Sequence, residues 1–158
     1  MIRVTGIDHR VHGRIDAARI GGLAIAVTLV GHYAWELAQA RQFMEHAGAA
    51  ISEYAWHCFR AALGDAVIAA ASYGLVALLF RRVRWPLHSP VLAPAIAWIT
   101  IGLAITIAIE QWAIASGRWS YAPAMPTVLG VGALPLAQWV IVPSVTLLTF
   151  RAIVRRLG

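Results

Sequence analysis

The chain has 158 residues, 60% of them hydrophobic and only 13% charged, with a formal net charge of +6. Its mean hydropathy of +0.70 lies outside the range of soluble domains. The apolar residues come in runs of about 20, the length a helix needs to cross a bilayer core, so the composition points to an integral membrane protein and away from a soluble enzyme.

Residues 1–17 are polar and form a predicted cytoplasmic N-terminal segment. The first predicted span covers 18–39. It is longer than a signal-peptide core and no small-residue cleavage site follows it, so it is expected to remain in the mature chain. Ala24, Thr28, His32 and Glu36 fall on one helical line at four-residue spacing. The connection that follows carries Phe43, Met44, Ile51, Tyr54 and Trp56, and its composition predicts a short helix lying on the membrane surface.

The second span is predicted over 58–80, where Cys58, Asp65 and Ser72 recur every seven residues with Ala62 and Ala69 between them. Cys58 is the single cysteine, which excludes an intrachain disulfide and a CxxC motif. A basic turn with two prolines, Arg81 to Pro90, leads to the third span at 91–116. Within it, ITIGLAITIAIE (Ile99 to Glu110) alternates like a strand. A lone strand in lipid would leave its backbone groups unpaired, so the helical reading prevails. It puts Gly102, Thr106 and Glu110 on one line, where small residues let another helix approach closely.

The second outer connection, Gly117 to Pro126, is aromatic and ends in proline. The fourth span is predicted over 127–150, with Pro135 and Pro143 expected to bend it and Gln138 near mid-membrane. Residues 152–158 form a basic tail. The expected fold is all-α: an antiparallel bundle of four transmembrane helices within residues 18–151.

All thirteen basic residues are arginines. Most lie before the first span, in the second connection and in the tail; only Arg41, Arg60 and Arg118 fall on the other side. This positive-inside pattern predicts cytoplasmic termini. It also makes membrane lipids, and not nucleic acid, the partner implied by the basic excess.

In that topology His32, Glu36 and Glu110 lie toward the outer ends of their helices, with His57 at the mouth of the second helix and Asp65 and Gln138 deeper. A charged group at mid-helix costs about 2.5 kcal/mol or more in lipid, so such residues face a partner, a cavity or water. Glu36 and Glu110 are the acid–base candidates, with His32 to tune or relay a proton. Asp65 is the fourth catalytic candidate and forms a pocket floor with Gln138. Trp35, His57, Trp112, Trp119 and Tyr121 are candidate ligand-binding residues, although an aromatic belt at the interface accounts for most such side chains.

Three readings of the polar cluster stay open. The groups satisfy one another and fix helix register; or they form an acid–base site; or they line a metal site or proton path. His32, Glu36, His57, Asp65 and Glu110 have the ligand types for zinc or iron, but their spacing matches no strong metal motif. The cofactor is therefore unassigned, with a divalent metal as one option. No phosphate-binding Gly–Lys loop, GxSxG or HExxH occurs.

The ordered set WEL (Trp35–Leu37), HC (His57–Cys58), LGD (Leu63–Asp65), EQW (Glu110–Trp112), RWSY (Arg118–Tyr121), AMP (Ala124–Pro126) and GVGALPLAQW (Gly130–Trp139) resembles a group of small bacterial membrane proteins without an assigned activity. It implies a multi-pass location in a bacterial cytoplasmic (inner) membrane. A shorter stretch, EQWAIASGRWSY followed by LPLAQW, is similar to membrane-bound carotenoid (lycopene) cyclase domains. There an acid and a Trp precede G-x-W-x-aromatic and then L-P-[LI]-E-E; here Ala137 and Gln138 replace the acidic pair. That resemblance implies Glu110 as the acid, Trp112, Trp119 and Tyr121 as the aromatic positions, and an isoprenoid substrate class.

Three function classes follow: an acid–base or metal-assisted enzyme acting on a lipid-like or isoprenoid small molecule, a small proton-coupled transporter or channel-like oligomer, and a noncatalytic subunit of a larger membrane complex.

Overall fold

The computed structural model describes the backbone of residues 8–46 and 48–157, and the side chains of residues 22–46 and 48–156. The side chains of Arg3, Arg10, Arg14 and Arg19 lie outside the described residues. The chain is mostly helical, with α1 Asp8–Gln39, α2 Ile51–Leu79, α3 Leu92–Ala115 and α4 Ala133–Leu157. Two short strands, β1 Thr127–Val128 and β2 Val131–Gly132, pair as a hairpin before α4. Three helical stretches, Ile51–Leu79, Leu92–Ala115 and Ala133–Arg156, are long and apolar enough to cross a membrane. The helices contact one another in a ring: α1 on α2, α2 on α3, α3 on α4, and α4 back on α1.

Small residues set the approach of the helices. The buried stripe of α2 holds Cys58, Ala62, Ala69 and Ser72, and that of α3 holds Gly102, Thr106, Glu110 and Ala113. A Cβ at Gly102 would overlap the indole ring of Trp139, so α3 and α4 meet there backbone to ring. At Gly31, a Cβ would lie 3.0 Å from Cγ1 of Val142 across the α1–α4 contact. The strand-like alternation of Ile99 to Glu110 is helical, as the backbone argument requires.

Several boundaries differ from expectation. The first helix begins at Asp8, not at residue 18, and the third is one residue shorter at each end. Among the described residues, no separate surface helix follows α1. Two 3-10 turns, Ala40–Gln42 and Met44–His46, occupy the start of that connection. Ile51 to His57, expected in the connection, instead form the first turns of α2, where the Glu53 carboxylate accepts from Ala50 N at 2.9 Å and caps the helix.

The fourth helix starts six residues later than expected because Leu129 and Gly130, with φ of 50° and 80°, turn the chain back into the hairpin. Pro135 therefore sits in the first turn of α4, where a missing N–H removes no helical hydrogen bond, and it does not bend the helix. Pro143 lies inside α4 as expected. The basic tail continues α4 to Leu157.

The two ends of the bundle are built differently. At the arginine-rich end, a core of Ala69, Val76, Trp85, Ala95, Trp98 and Trp139 closes the interior. Trp98 Nε1 donates to Ala69 O at 3.0 Å, and Arg151 donates to Pro86 O. At the opposite end the two long connections are tied together: Met44 N donates to Ser120 O at 3.0 Å and Ala122 N to Gln42 O at 2.8 Å. Glu45 accepts from Ser120 N at 2.9 Å. α3 ends at a reverse turn in which Gly117, at φ 68°, takes the left-handed conformation while Arg118 N donates to Ala113 O. That turn sends Trp119 and Tyr121 back over the end of α3.

Candidate functional site

Beneath the tied connections lies a cavity of about 1030 Å³. Its walls include Glu36 of α1, Asp65 of α2, Glu110 of α3 and Gln138 of α4, with Trp119 from the second connection. All four helices thus contribute a polar side chain to one hollow. Helix geometry explains the convergence: α1 and α3 finish at this end while α2 and α4 begin there, so polar residues far apart in sequence reach the same depth.

Two hydrogen-bonded groups hold the carboxyls. In the first, Trp35 Nε1 donates to Gln39 Oε1 at 3.1 Å, and Gln39 Nε2 donates to Glu36 Oε1 at 2.9 Å and to Gln138 Oε1 at 3.4 Å. Gln138 Nε2 then donates to Asp65 Oδ2 at 2.9 Å and lies 3.0 Å from His32 Nδ1. His32 Nδ1 and Asp65 Oδ2 are 3.5 Å apart. An amide nitrogen has two hydrogens and no acceptor capacity. Donation to both neighbours makes His32 Nδ1 an acceptor and places the ring proton on Nε2. His32 is fully buried, its Nε2 has no partner among the described residues, and its ring lies 5.4 Å from that of Trp139.

In the second group, Glu110, 8% exposed, accepts from Tyr121 OH and from Trp119 Nε1 at 3.3 Å, both through Oε2. Burial, and then the neighbouring Glu110 carboxylate, push the Tyr121 phenol well above its ordinary range, so Tyr121 keeps its proton and remains a donor.

The candidate residues therefore separate. Glu36, Asp65, Glu110, Gln138, His57 and Trp119 line the cavity. His32 stands behind Gln138, and Tyr121 joins through Glu110. The exposed His57 ring stacks on that of His46 at 5.8 Å. Trp35 acts on the cavity only through Gln39. Trp112 is 55% exposed with the Arg118 guanidinium 4.6 Å from its ring centre, and it does not line the cavity. Among the described residues, no group of three or more His, Cys, Asp or Glu side chains is arranged to hold a metal ion.

Some cavity residues escaped the sequence reading. Gln39 is 4% exposed and links both sides of the first network; its position three residues after Glu36 on one helix face was the available signal. Thr106, on the packing seam of α3, also lines the cavity, as does the buried Tyr54.

Chemically, the site offers three deep carboxyl groups, with Glu45 and Glu53 also on its wall, beside a hollow with an apolar side of residues such as Ile68, Ile109 and Pro135. It can hold the polar end of a molecule whose remainder is apolar, and exchange a proton with it. Comparison of the chain with protein-family models, curated proteins and solved structures returned no match.

Proposed function

We propose that this chain is a four-span protein of a bacterial cytoplasmic membrane whose carboxyl-lined cavity binds a small or lipid-like molecule and exchanges a proton with it. The observation that carries this reading is the convergence of Glu36, Asp65 and Glu110, from three helices, on one cavity. Uncompensated carboxyl groups are costly in a helix bundle unless a cavity or partner receives them, and here a cavity of ligand size does. Glu36 and Glu110 are the proton-exchanging groups. Asp65 and Gln138 form the floor. His32 acts as a positioning residue: it stands outside the cavity lining and packs against Gln138 and Asp65.

The arginines of the second turn and the tail support cytoplasmic termini, with the cavity toward the outer leaflet and anionic lipid around the basic end. A conducting pore is disfavoured: from His32 toward the arginine-rich end the described interior becomes apolar through Trp139, Trp98 and Trp85.

The test is Glu36→Gln and Glu110→Gln in purified protein, with mass spectrometry of retained lipids and titration with amphiphilic probes. Each substitution is expected to weaken or abolish ligand retention. Unchanged retention and unchanged probe binding in both variants would refute the assignment.

A further inference from the structure

The geometry points to the kind of molecule the cavity accepts: we propose that it selects a protonated amine carried on an apolar body. This rests on the binding role assigned to the same cavity. The first observation is a set of unused acceptors. Each deep carboxyl employs one oxygen in the networks, Oε1 of Glu36, Oδ2 of Asp65 and Oε2 of Glu110. The other oxygen of each receives no hydrogen bond from the described residues.

The second observation is the Thr106 hydroxyl. Serine and threonine in helices ordinarily satisfy themselves by donating to the carbonyl four residues back. Thr28 does so to Ala24 O at 2.8 Å, Ser72 to Ile68 O at 2.7 Å and Ser144 to Val140 O at 2.6 Å. Thr106 is 7% exposed, its hydroxyl has no partner, and it lines the cavity one helical turn below Glu110. A buried hydroxyl left unpaired is destabilising unless something else receives it.

The third observation is the missing countercharge. Among the described residues, no arginine approaches Glu36, Asp65 or Glu110 closely enough to pair, and the His32 nitrogen 3.5 Å from Asp65 Oδ2 is the one that accepts from Gln138. Arg60 and Arg118 also line the cavity, but neither forms an ion pair with these carboxyls, and the Arg118 guanidinium lies over Trp112.

A primary ammonium meets all three conditions. Its three N–H donors can serve three of these four acceptors (the free carboxyl oxygens and the hydroxyl) at once, and it supplies the positive charge. The Trp119 and Tyr54 rings give it aromatic surface, while Ile68, Ile109 and Pro135 receive the apolar body. A carboxylate ligand would bring further acceptors and no donor to these carboxyl groups; an alcohol would bring one donor and no charge.

The experiment uses the purified full chain in neutral detergent, titrated separately with decylamine, decanol and decanoate and followed by tryptophan fluorescence. Decylamine is expected to bind saturably and about tenfold or more tightly than decanol, since hydrogen bonds to charged groups exceed neutral ones. Decanoate is expected to bind more weakly still. Glu110→Gln and Asp65→Asn should each bring the amine–alcohol ratio toward one. Thr106→Val, which keeps the side-chain shape and so the fold, should reduce decylamine affinity several-fold. Equal affinity for decylamine and decanol, or a ratio unmoved in all three variants, would overturn amine selectivity and leave a cavity that binds apolar molecules. Failure of all three probes to bind would overturn the binding role as well.

Discussion

The two ends of the bundle each hold a cavity, and the two are made of different chemistry. The one under the long connections, about 1030 Å³, gathers carboxyl groups from three helices. The other, about 570 Å³, lies at the arginine-rich end between alanines of α1 and α2 and the rings of Trp85 and Trp98. Among its described lining residues there is no carboxylate. Between them, Trp139 packs on Gly102 and against His32. One helix ring thus supports a carboxyl-lined chamber and a mostly apolar one. The lesson is that the buried carboxyl and amide side chains collect beneath the long connections, while hydroxyls such as Ser72 and Thr146 serve the packing seams beyond them.

The strongest break in that comparison is at the partition. Gly102→Ala would drive a methyl group into the Trp139 ring and force α3 from α4. A loss of about 3 kcal/mol or more, or failure to fold, is expected, at or above the usual range for overpacking. Gly74→Ala, where a Cβ meets nothing within 4 Å, should be neutral or slightly stabilising. Denaturation midpoints in detergent compare the two.

A smaller effect sharpens the contrast between the chambers. Gln138→Leu leaves Asp65, His32 and Gln39 without a shared partner, and about 2 kcal/mol or more should be lost, because stranded buried polar groups are expensive. Trp98→Phe, on the apolar side, removes one hydrogen bond to Ala69 O and should lose about 1 kcal/mol. Equal losses in the same unfolding assay would contradict the division.

Tyr121 gives a pH test. Its phenol ionises at higher pH folded than unfolded, so its contribution is complete below the ordinary tyrosine range, about pH 10, and is lost as pH rises through the folded value. The stability of the wild type should therefore fall more steeply in alkali than that of Tyr121→Phe, read as unfolding midpoint against pH.

The smallest effect is expected outside both chambers. Trp112→Phe should change stability by no more than about 0.5 kcal/mol, as for most exposed substitutions, and leave probe binding unaltered. Trp119→Phe, which removes a donor to Glu110, should weaken binding.

Much of this arrangement was legible in the residues. The alternation of helix direction was enough to expect Glu36, Asp65 and Glu110 at one end, and the four-residue line of Gly102, Thr106 and Glu110 marks the buried face of α3. The role of Tyr121 was not legible from spacing, because it depends on Gly117 turning the connection back over α3. Trp112 could have been set aside: two residues after Glu110, about 200° around the helix, it belongs to the opposite face. The late start of α4 was obscured because Thr127 to Gly132 is as apolar as the helix it precedes. In a short apolar segment, hydropathy does not distinguish a hairpin from a helical turn.

The central claim is a common chamber for three carboxyls, and thiol labelling addresses it most directly. In a Cys58→Ala background, Glu36→Cys, Asp65→Cys and Glu110→Cys are exposed one at a time to a small charged thiol reagent in native membranes. All three should react, and decylamine should protect all three, whereas Ala62→Cys, fully buried in helix packing, should stay inert. If any of the three behaves like Ala62→Cys, or if decylamine protects only one, the carboxyls do not share a chamber and the account fails.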